Sequence, residues 1–422
     1  MLKLTASFSY LVEISENRDE SSRVSIQLAA NSKRESMNSK LAISSEKSRI
    51  VAPSHRERVL RYEEVDRAGI PTGRSVSFVG VEFRGLQYVD LINHKLGTKI
   101  DIPLSGKNAR VVESSIDSIS IESVMTVNTT LESTYSSRTI GLVRDGWLPS
   151  GLALQNDMVV MPDRCTFSEL AGRFRNGAKT NQEDKDFLDL FADQHVRINP
   201  LLYALEGNVR KSPSPDVVEQ EFGHACAMVR AALPMAELVP AGKGGIQGII
   251  GIINDTQASM ARKQEFLIRL AKKLRAPVSA RLVGKLWDEV LATADDCGVP
   301  RRSLVVLAAL SAVCVPNGKS PAKRLLKLNT ANYSLEYAYN ALADLRSLEL
   351  LMRLFALFPN EKLLLCTGDK DLALFWAGIR ASDFAWKNNC FECRFTPVEA
   401  LLPNVTQERR ASYFSINDAI HS

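Results

Sequence analysis

The stretch LLLCTGDKDLALF, residues 363–375, decides the fold class of this chain. Four apolar residues run into a turn of small residues, two aspartates follow, and an apolar segment resumes at once. A short, fully apolar run bounded by turn residues is typical of a strand that is buried on both faces of a parallel sheet. Functional groups in such sheets collect beyond the carboxyl ends of the strands, so Asp369 is predicted to lie at a functional edge.

Three further segments have the same strand-like character: TIGLV (139–143), DMVVMP (157–162) and FECRFT (391–396). Between and after them, segments such as TFSELAGRF (166–174) repeat apolar residues at the helical spacing of three and four. Alternation of apolar strands and helices predicts an α/β fold in which helices flank a parallel sheet.

The first part of the chain differs from the rest. Segments such as SVSFVGVEF (75–83) and SISIES (118–123) alternate polar and apolar residues, as half-buried strands do. We therefore predict a β-rich domain of unassigned role over 1–135 and an α/β domain over 138–403. A largely helical insertion is predicted to interrupt the α/β domain at 181–330, and 404–422 is predicted to be a tail.

Composition limits the function classes. The 422 residues are 45% apolar and 24% charged, which is ordinary for a globular protein, and the net charge of +5 permits a polyanionic partner. The apolar run 304–315 is too short to cross a bilayer, and the first twenty residues lack the layout of a signal peptide. We expect a cytoplasmic protein with no membrane partner.

Four acidic residues occupy comparable places in these α/β units. Asp145 follows TIGLV, Glu169 lies near the start of the helix after DMVVMP, Asp344 is predicted to begin a leucine-rich helix, and Asp369 follows LLLCT. If they meet at one edge, Mg²⁺ or Mn²⁺ would relieve their mutual repulsion. Each also has a structural interpretation: Asp145 as a turn residue, Glu169 in a capping box with Thr166, Asp344 as a helix-start anion, and Asp369 as a cap of the following helix.

A basic segment lies within the predicted insertion. It contains clustered lysines and arginines with few acidic neighbours, either as a solvated helix face or as a surface that contacts nucleic-acid phosphates. The residues assigned to the second alternative are Arg262, Lys263, Arg269, Lys272, Lys273 and Arg275.

Four blocks of the sequence resemble the PIN-domain family. They are IGLVRDGWLPSGLALQNDMVVMPDRCTFSEL (140–170), ADLRSLELL (343–351), LLLCTGDKDL (363–372) and FTPVEALL (395–402), and the resemblance covers 138–178 and 330–403. It implies a metal-dependent ribonuclease with a parallel sheet between helices. By this resemblance Asp145, Glu169, Asp344 and Asp369 are catalytic metal ligands, Asp371 is a further acidic position, and Thr367 positions water or metal.

The chain departs from the family pattern in two respects. Gly146 and Trp147 stand where the family usually has Thr or Ser and then Asn, and the stretch between Glu169 and Asp344 is much longer than in compact members. Because of the first departure, the sequence is compatible both with a catalytic protein and with one that has lost catalysis.

Three functions therefore remain. The first is an endoribonuclease, or a DNA-cleaving enzyme, that uses Mg²⁺ or Mn²⁺, with single-stranded RNA as partner and an inhibitor or partner protein as a further candidate. The second is a catalytically silent PIN-like scaffold that binds nucleic acid or protein. The third is a nucleotide-binding α/β unit, for which the sequence offers only Gly146 and Gly151 after the first strand.

Overall fold

A computed structural model gives the fold. It describes residues 9–11, 23–29, 59–65, 70–155, 157–180, 184–192, 195–207, 210–240, 243–315, 319–387 and 390–415. Much of the predicted N-terminal domain before residue 59, and the end of the predicted tail at 416–422, lie outside these ranges. The chain divides into two units: the first comprises 1–84, 98–136 and 193–195, and the second comprises 85–97, 137–192 and 196–422.

The first unit contains one antiparallel sheet, whose seven described strands are joined in the order β1-β2-β3-β4-β6-β5, with β7 also paired to β6. Their bounds are β1 (Ser9–Leu11), β2 (Arg23–Ala29), β3 (Val59–Val65), β4 (Pro71–Val79), β5 (Glu82–Phe83), β6 (Lys99–Ser114) and β7 (Val124–Ser136).

Strand β4 is buried more completely than its alternating sequence predicts. Ser75 and Ser77 are buried along with Val76 and Phe78. Arg61 donates a hydrogen bond to the Ser75 hydroxyl, and Ser77 donates one to a carboxylate oxygen of Glu113 at 3.0 Å. These partners satisfy the hydroxyls, so polar residues can occupy a buried face.

The second unit is mixed α/β. Its main sheet has the order β14-β13-β10-β15-β8-β9. The strand bounds are β8 (Ile140–Val143), β9 (Gly146–Pro149), β10 (Val159–Pro162), β13 (Arg197–Ile198), β14 (Glu237–Leu238) and β15 (Leu363–Thr367). Two hairpins lie apart from it: β11 (Phe174–Arg175) with β12 (Ala178–Lys179), and β16 (Ala381–Lys387) with β17 (Cys390–Phe395).

Strands β14, β13, β10 and β15 run parallel, whereas β8 and β9 are antiparallel to their neighbours. Strands β13 and β14 come from within 181–330, so this range contributes part of the sheet and is not only a helical insertion. Each of the two strands is two residues long, which is too short to produce a recognisable period in the sequence.

Helices surround this sheet. They are α1 (Tyr88–Ile92), α2 (Ser150–Ala153), α3 (Arg164–Arg173), α4 (Leu201–Glu206), α5 (Pro215–Ala232), α6 (Lys243–Leu274), α7 (Val283–Asp296), α8 (Leu304–Cys314), α9 (Pro321–Leu325), α10 (Leu335–Leu357), α11 (Lys370–Ile379) and α12 (Gln407–Ser415). Short 3-10 turns occur at Phe187–Phe191, Ala280–Leu282 and Glu399–Leu401.

The core of the second unit lies around the sheet and two apolar helices. Every residue of β15 and of α8 is buried, and α11 is buried from Leu372 to Ile379. Burial on all sides explains why these segments are apolar without a polar face. Within the described ranges, none of the helices has both the length and the apolar content that a membrane span requires.

Candidate functional site

Three neighbouring parallel strands end at the same edge of the main sheet. Pro162 at the end of β10 pairs with Cys366 of β15, and Val160 of β10 pairs with Ile198 of β13. After β10 the chain adds β13 and then β14 on one side of it, and later adds β15 on its other side. The direction in which strands are added therefore reverses at β10. Beyond the carboxyl ends at such a reversal, an open α/β sheet leaves a crevice in which ligands bind.

Asp163 follows β10 directly and begins α3. Its Oδ1 accepts a hydrogen bond from the Thr166 backbone N–H at 2.7 Å, which makes it the N-cap of this helix. The capping box of Thr166 and Glu169 expected from the sequence is therefore wrong, because the helix begins three residues earlier. Burial raises the pKa of Asp163, and hydrogen bonds from Thr367 and Thr166 oppose the rise.

Asp369 follows β15 and caps α11 in the same way. Its Oδ1 accepts from the backbone N–H groups of Asp371 at 2.7 Å and Leu372 at 3.1 Å. Its own N–H donates to the hydroxyl of the buried Thr367 at 2.9 Å. The pKa of Asp369 is raised chiefly by burial. The helix-capping interpretation of Asp369 is thus confirmed. Both hydrogen bonds of this cap end on Oδ1, and Oδ2 takes no part in them.

Glu206 and Asp344 come from helices. Glu206 is the last residue of α4, which follows β13, and burial and then Asp163 raise its pKa to about 7. Asp344 lies in the middle of α10 and does not begin it as predicted, because Ser334 caps that helix ten positions earlier. Burial raises the pKa of Asp344 well above its usual range, and Asp369, Glu206 and Asp163 add to the rise.

These four carboxylates line one cavity of about 200 Å³. Asp369 raises the pKa of Asp163, Asp163 raises that of Glu206, and all three raise that of Asp344, as neighbouring like charges do. Three cationic side chains line the same cavity: Arg164, Lys327 and Arg346. The cavity therefore combines oxygen ligands suited to a hard cation with positive groups suited to an anion.

The three cations differ in how firmly they are held. Arg164 donates to Glu221 at 2.8 Å and to Tyr203 O at 3.2 Å, and its guanidinium stacks 4.0 Å from the Tyr203 ring centre. Arg346 donates to Leu205 O at 2.8 Å. Lys327 Nζ lies 3.8 Å from Asp344 Oδ2, which is too far for a hydrogen bond.

The structure does not bring Asp145 to this cavity. Strand β8 runs antiparallel to β15, with Leu142 opposite Leu365, so the carboxyl end of β8 points to the opposite edge of the sheet from Asp369. Asp145 lies in the turn between β8 and β9, where its carbonyl accepts from the Gln87 side chain at 3.1 Å. The turn interpretation of Asp145 therefore describes its position.

The Gly146–Trp147 departure also has a structural explanation. Gly146 has φ 141°, and a Cβ built there would lie 2.1 Å from Leu86 O. Trp147 is fully buried and donates from Nε1 to Gln87 O at 3.0 Å. These residues belong to the packing of a hairpin, and neither of them lines the cavity.

Glu169 and Asp371 also lie outside the lining of the cavity. The Glu169 side chain on α3 is 43% exposed, and its carboxylate lies 3.9 Å from Arg138. Asp371 receives hydrogen bonds from Arg324 Nε at 2.9 Å and Arg324 Nη2 at 2.6 Å. Thr367 is not in the lining either, but its buried hydroxyl accepts a hydrogen bond from the N–H of Asp369, which is.

The basic segment lies on α6, apart from Arg275 directly after it, and several of its charges are paired. Lys263 is buried and donates to Glu349 at 2.8 Å, so it is not available at the surface. Arg269 pairs with Glu265, and Lys273 pairs with Glu289. The remaining members of the predicted set, Arg262, Lys272 and Arg275, are exposed.

Sequence reasoning missed Asp163 and Glu206. The signal for Asp163 was present, because it follows the apolar run MVVMP as Asp369 follows LLLCT. Glu206 carried no comparable signal, since β13 is too short to be recognised.

No three Asp, Glu, His or Cys side chains within the described ranges form a ready-made ligand set for a metal ion. The four carboxylates surround a space and do not touch a common point. No family model, no curated protein and no solved structure matches this chain.

Proposed function

We propose that this chain is a metal-dependent endoribonuclease with a PIN-like sheet, and that Asp163, Glu206, Asp344 and Asp369 hold Mg²⁺ or Mn²⁺. The observation that carries this proposal is the shared cavity of these four carboxylates beyond the ends of three parallel strands. The parallel order β14-β13-β10-β15 supports the PIN-like assignment, which the sequence resemblance suggested first.

The donor set fits a hard divalent cation. All four groups are carboxylates, which Mg²⁺ and Mn²⁺ prefer. Burial raises the pKa of each of them, and a divalent cation would lower the cost of keeping them ionised together. Both backbone hydrogen bonds to Asp369 end on Oδ1, so Oδ2 is not needed for the cap.

The residues of the cavity suggest how a phosphodiester would be bound. When bound, Mg²⁺ or Mn²⁺ would supply charge neutralisation and a water of lowered pKa. The hydroxyl of Thr367 would hold Asp163 and the Asp369 turn in fixed positions. Arg346 and Lys327 would face the negative charge of the phosphate, and no side-chain nucleophile is required.

Single-stranded RNA is the substrate that the resemblance suggests, and the exposed Arg262, Lys272 and Arg275 are candidates for backbone contacts. A labelled single-stranded RNA should be cleaved by the wild type with Mn²⁺ and left intact with EDTA. Asp163→Asn should abolish cleavage, since asparagine still caps a helix but is a poorer metal ligand. Glu392→Gln changes an exposed carboxylate of β17 and should cleave normally.

Two results would contradict the nuclease: no cleavage of RNA or of an equivalent DNA with Mn²⁺, or full cleavage by Asp163→Asn. A silent scaffold that binds nucleic acid is the second candidate. The observation in its favour is that Arg164, Lys327 and Arg346 offset much of the negative charge without any metal. RNA binding that EDTA does not change, without cleavage, would favour the scaffold.

A further inference from the structure

Lys327 has an unusual backbone conformation for a residue with a side chain. Its φ is 55°, in the left-handed region that favours glycine. Buried Leu326 and Leu328 flank it, the Lys327 N–H donates to Arg324 O at 2.9 Å, and the Leu328 N–H donates to Lys323 O at 3.1 Å. The backbone is thus fixed, and a glycine would adopt it without strain. Together these two bonds close the C-terminus of α9 as a Schellman motif, so the end of this helix sets the position of Lys327.

The ammonium group of Lys327 is the loosely held charge of this cavity. Its 3.8 Å approach to Asp344 is electrostatic, and Lys327 also lowers the pKa of Glu206 and Asp369. A flexible lysine acts as a compact charge with no fixed direction, whereas Arg164 is tied to Glu221 and Tyr203. Lys327 can therefore change partners without breaking a hydrogen bond.

A second cation in the wall of the cavity, Arg346, has a donor that is not satisfied. Arg346 is 4% exposed, and its Nε has no hydrogen-bond partner among the described residues. A buried guanidinium N–H without an acceptor is costly, and a phosphate oxygen is a strong acceptor for it. The wall of the cavity thus contains one buried guanidinium with an unpaired N–H and one ammonium without a hydrogen bond among the described residues.

We propose that Lys327 is the resident cation of the acidic cavity, and that its ammonium turns to the substrate phosphate when a divalent ion takes its place beside Asp344. This inference rests on the proposed function for the identity of the ion and the substrate. The ammonium and the metal ion would then both stabilise the negative charge of the phosphate, each from a different side.

Titration of the full chain with Mn²⁺, followed by the electron paramagnetic resonance signal of free Mn²⁺, tests this competition. Lys327→Met should bind Mn²⁺ about tenfold more tightly than the wild type, because the competing charge is gone. Lys327→Gly suits the left-handed backbone and should tighten binding equally. Lys387→Met removes an exposed lysine that pairs with Glu392 and should bind as the wild type does. In the RNA assay, kcat of Lys327→Met should fall at least about tenfold.

The outcomes separate the two proposals. Unchanged Mn²⁺ affinity in both Lys327 variants would overturn the role of Lys327, and the nuclease would stand if Asp369→Asn abolishes binding. Mn²⁺ binding by Lys327→Met but not by the wild type would support the resident cation and contradict the nuclease. No Mn²⁺ binding by any of these proteins would overturn both.

Discussion

Asp163 and Asp369 are linked by the hydroxyl of one buried residue. The Thr367 hydroxyl lowers the pKa of the Asp163 carboxylate and accepts a hydrogen bond from the Asp369 N–H at 2.9 Å. The Asp163 N–H in turn donates to Cys366 O at 2.8 Å, which continues the pairing of β10 and β15. The ends of two adjacent parallel strands are thereby joined into one rigid unit that carries two carboxylates.

Thr367→Val tests this link. Valine keeps the shape but removes the acceptor for the buried Asp369 N–H and the hydroxyl that lowers the pKa of Asp163. We expect the free energy of unfolding to fall by about 1–3 kcal/mol, measured by urea denaturation. Thr367→Ser retains the hydroxyl and should be affected much less. Equal stability of the valine variant and the wild type would show that the link contributes nothing.

The hairpin that contains Asp145 gives a second prediction. Gly146→Ala should lower the free energy of unfolding by at least about 2 kcal/mol, because φ is 141° and the new Cβ would meet Leu86 O. Gly172→Ala is the matched control: Gly172 is helical, and a Cβ there has nothing within 4 Å. Gly172→Ala should raise the free energy of unfolding by about 0.5–1 kcal/mol. A harmless Gly146→Ala would contradict the turn geometry.

The sequence was sufficient to predict the α/β class, the strand at Leu363–Thr367 and the sharing of one cavity edge by Asp344 and Asp369. It did not predict the direction of β8, because an apolar strand has the same composition in parallel and antiparallel pairing. Because β8 is antiparallel to β15, Asp145 lies at the opposite edge of the sheet from Asp369.

The remaining acidic residues were missed for different reasons. Asp163 stands at the end of a strand of the expected kind, but the family resemblance points to Glu169 in that block, which lies on an exposed part of α3. Glu206 depends on β13, a two-residue strand that forms by pairing with β10 and β14. Long-range pairing of this kind is absent from local patterns.

The pH dependence of stability without metal is a third prediction. The pKa of Glu206 is about 7 in the folded protein and near its ordinary value of 4.5 when unfolded. Between these values the folded state binds more protons, so the free energy of unfolding should fall as pH rises from 4.5 to 7. In Glu206→Gln, the decrease in the free energy of unfolding between pH 4.5 and 7 should be smaller by roughly 2–3 kcal/mol, measured by denaturation in EDTA. A stability that rises over this range and is equally steep in both proteins would contradict the shift.

The basic helix gives a fourth prediction, in which two lysines nine residues apart behave differently. Lys263→Met leaves Glu349 without its partner in a largely buried pair and should destabilise the protein by about 3 kcal/mol. Lys272→Met changes an exposed position of α6 and should leave stability within about 0.5 kcal/mol.

If α6 contacts RNA, only the Lys272 variant should weaken binding and reduce its salt dependence, measured by fluorescence anisotropy at several salt concentrations. Equal RNA affinity of Lys272→Met and the wild type would remove this lysine from the candidate RNA contacts.

The most direct test of the central claim is calorimetric titration of Mn²⁺ into the wild type and three carboxylate variants, each checked for folding by circular dichroism. We predict that the wild type and Asp145→Asn bind Mn²⁺ with the same affinity, and that Asp163→Asn and Asp369→Asn lose binding. Retention of full Mn²⁺ affinity by folded Asp163→Asn and Asp369→Asn would contradict a metal site at the ends of β10 and β15.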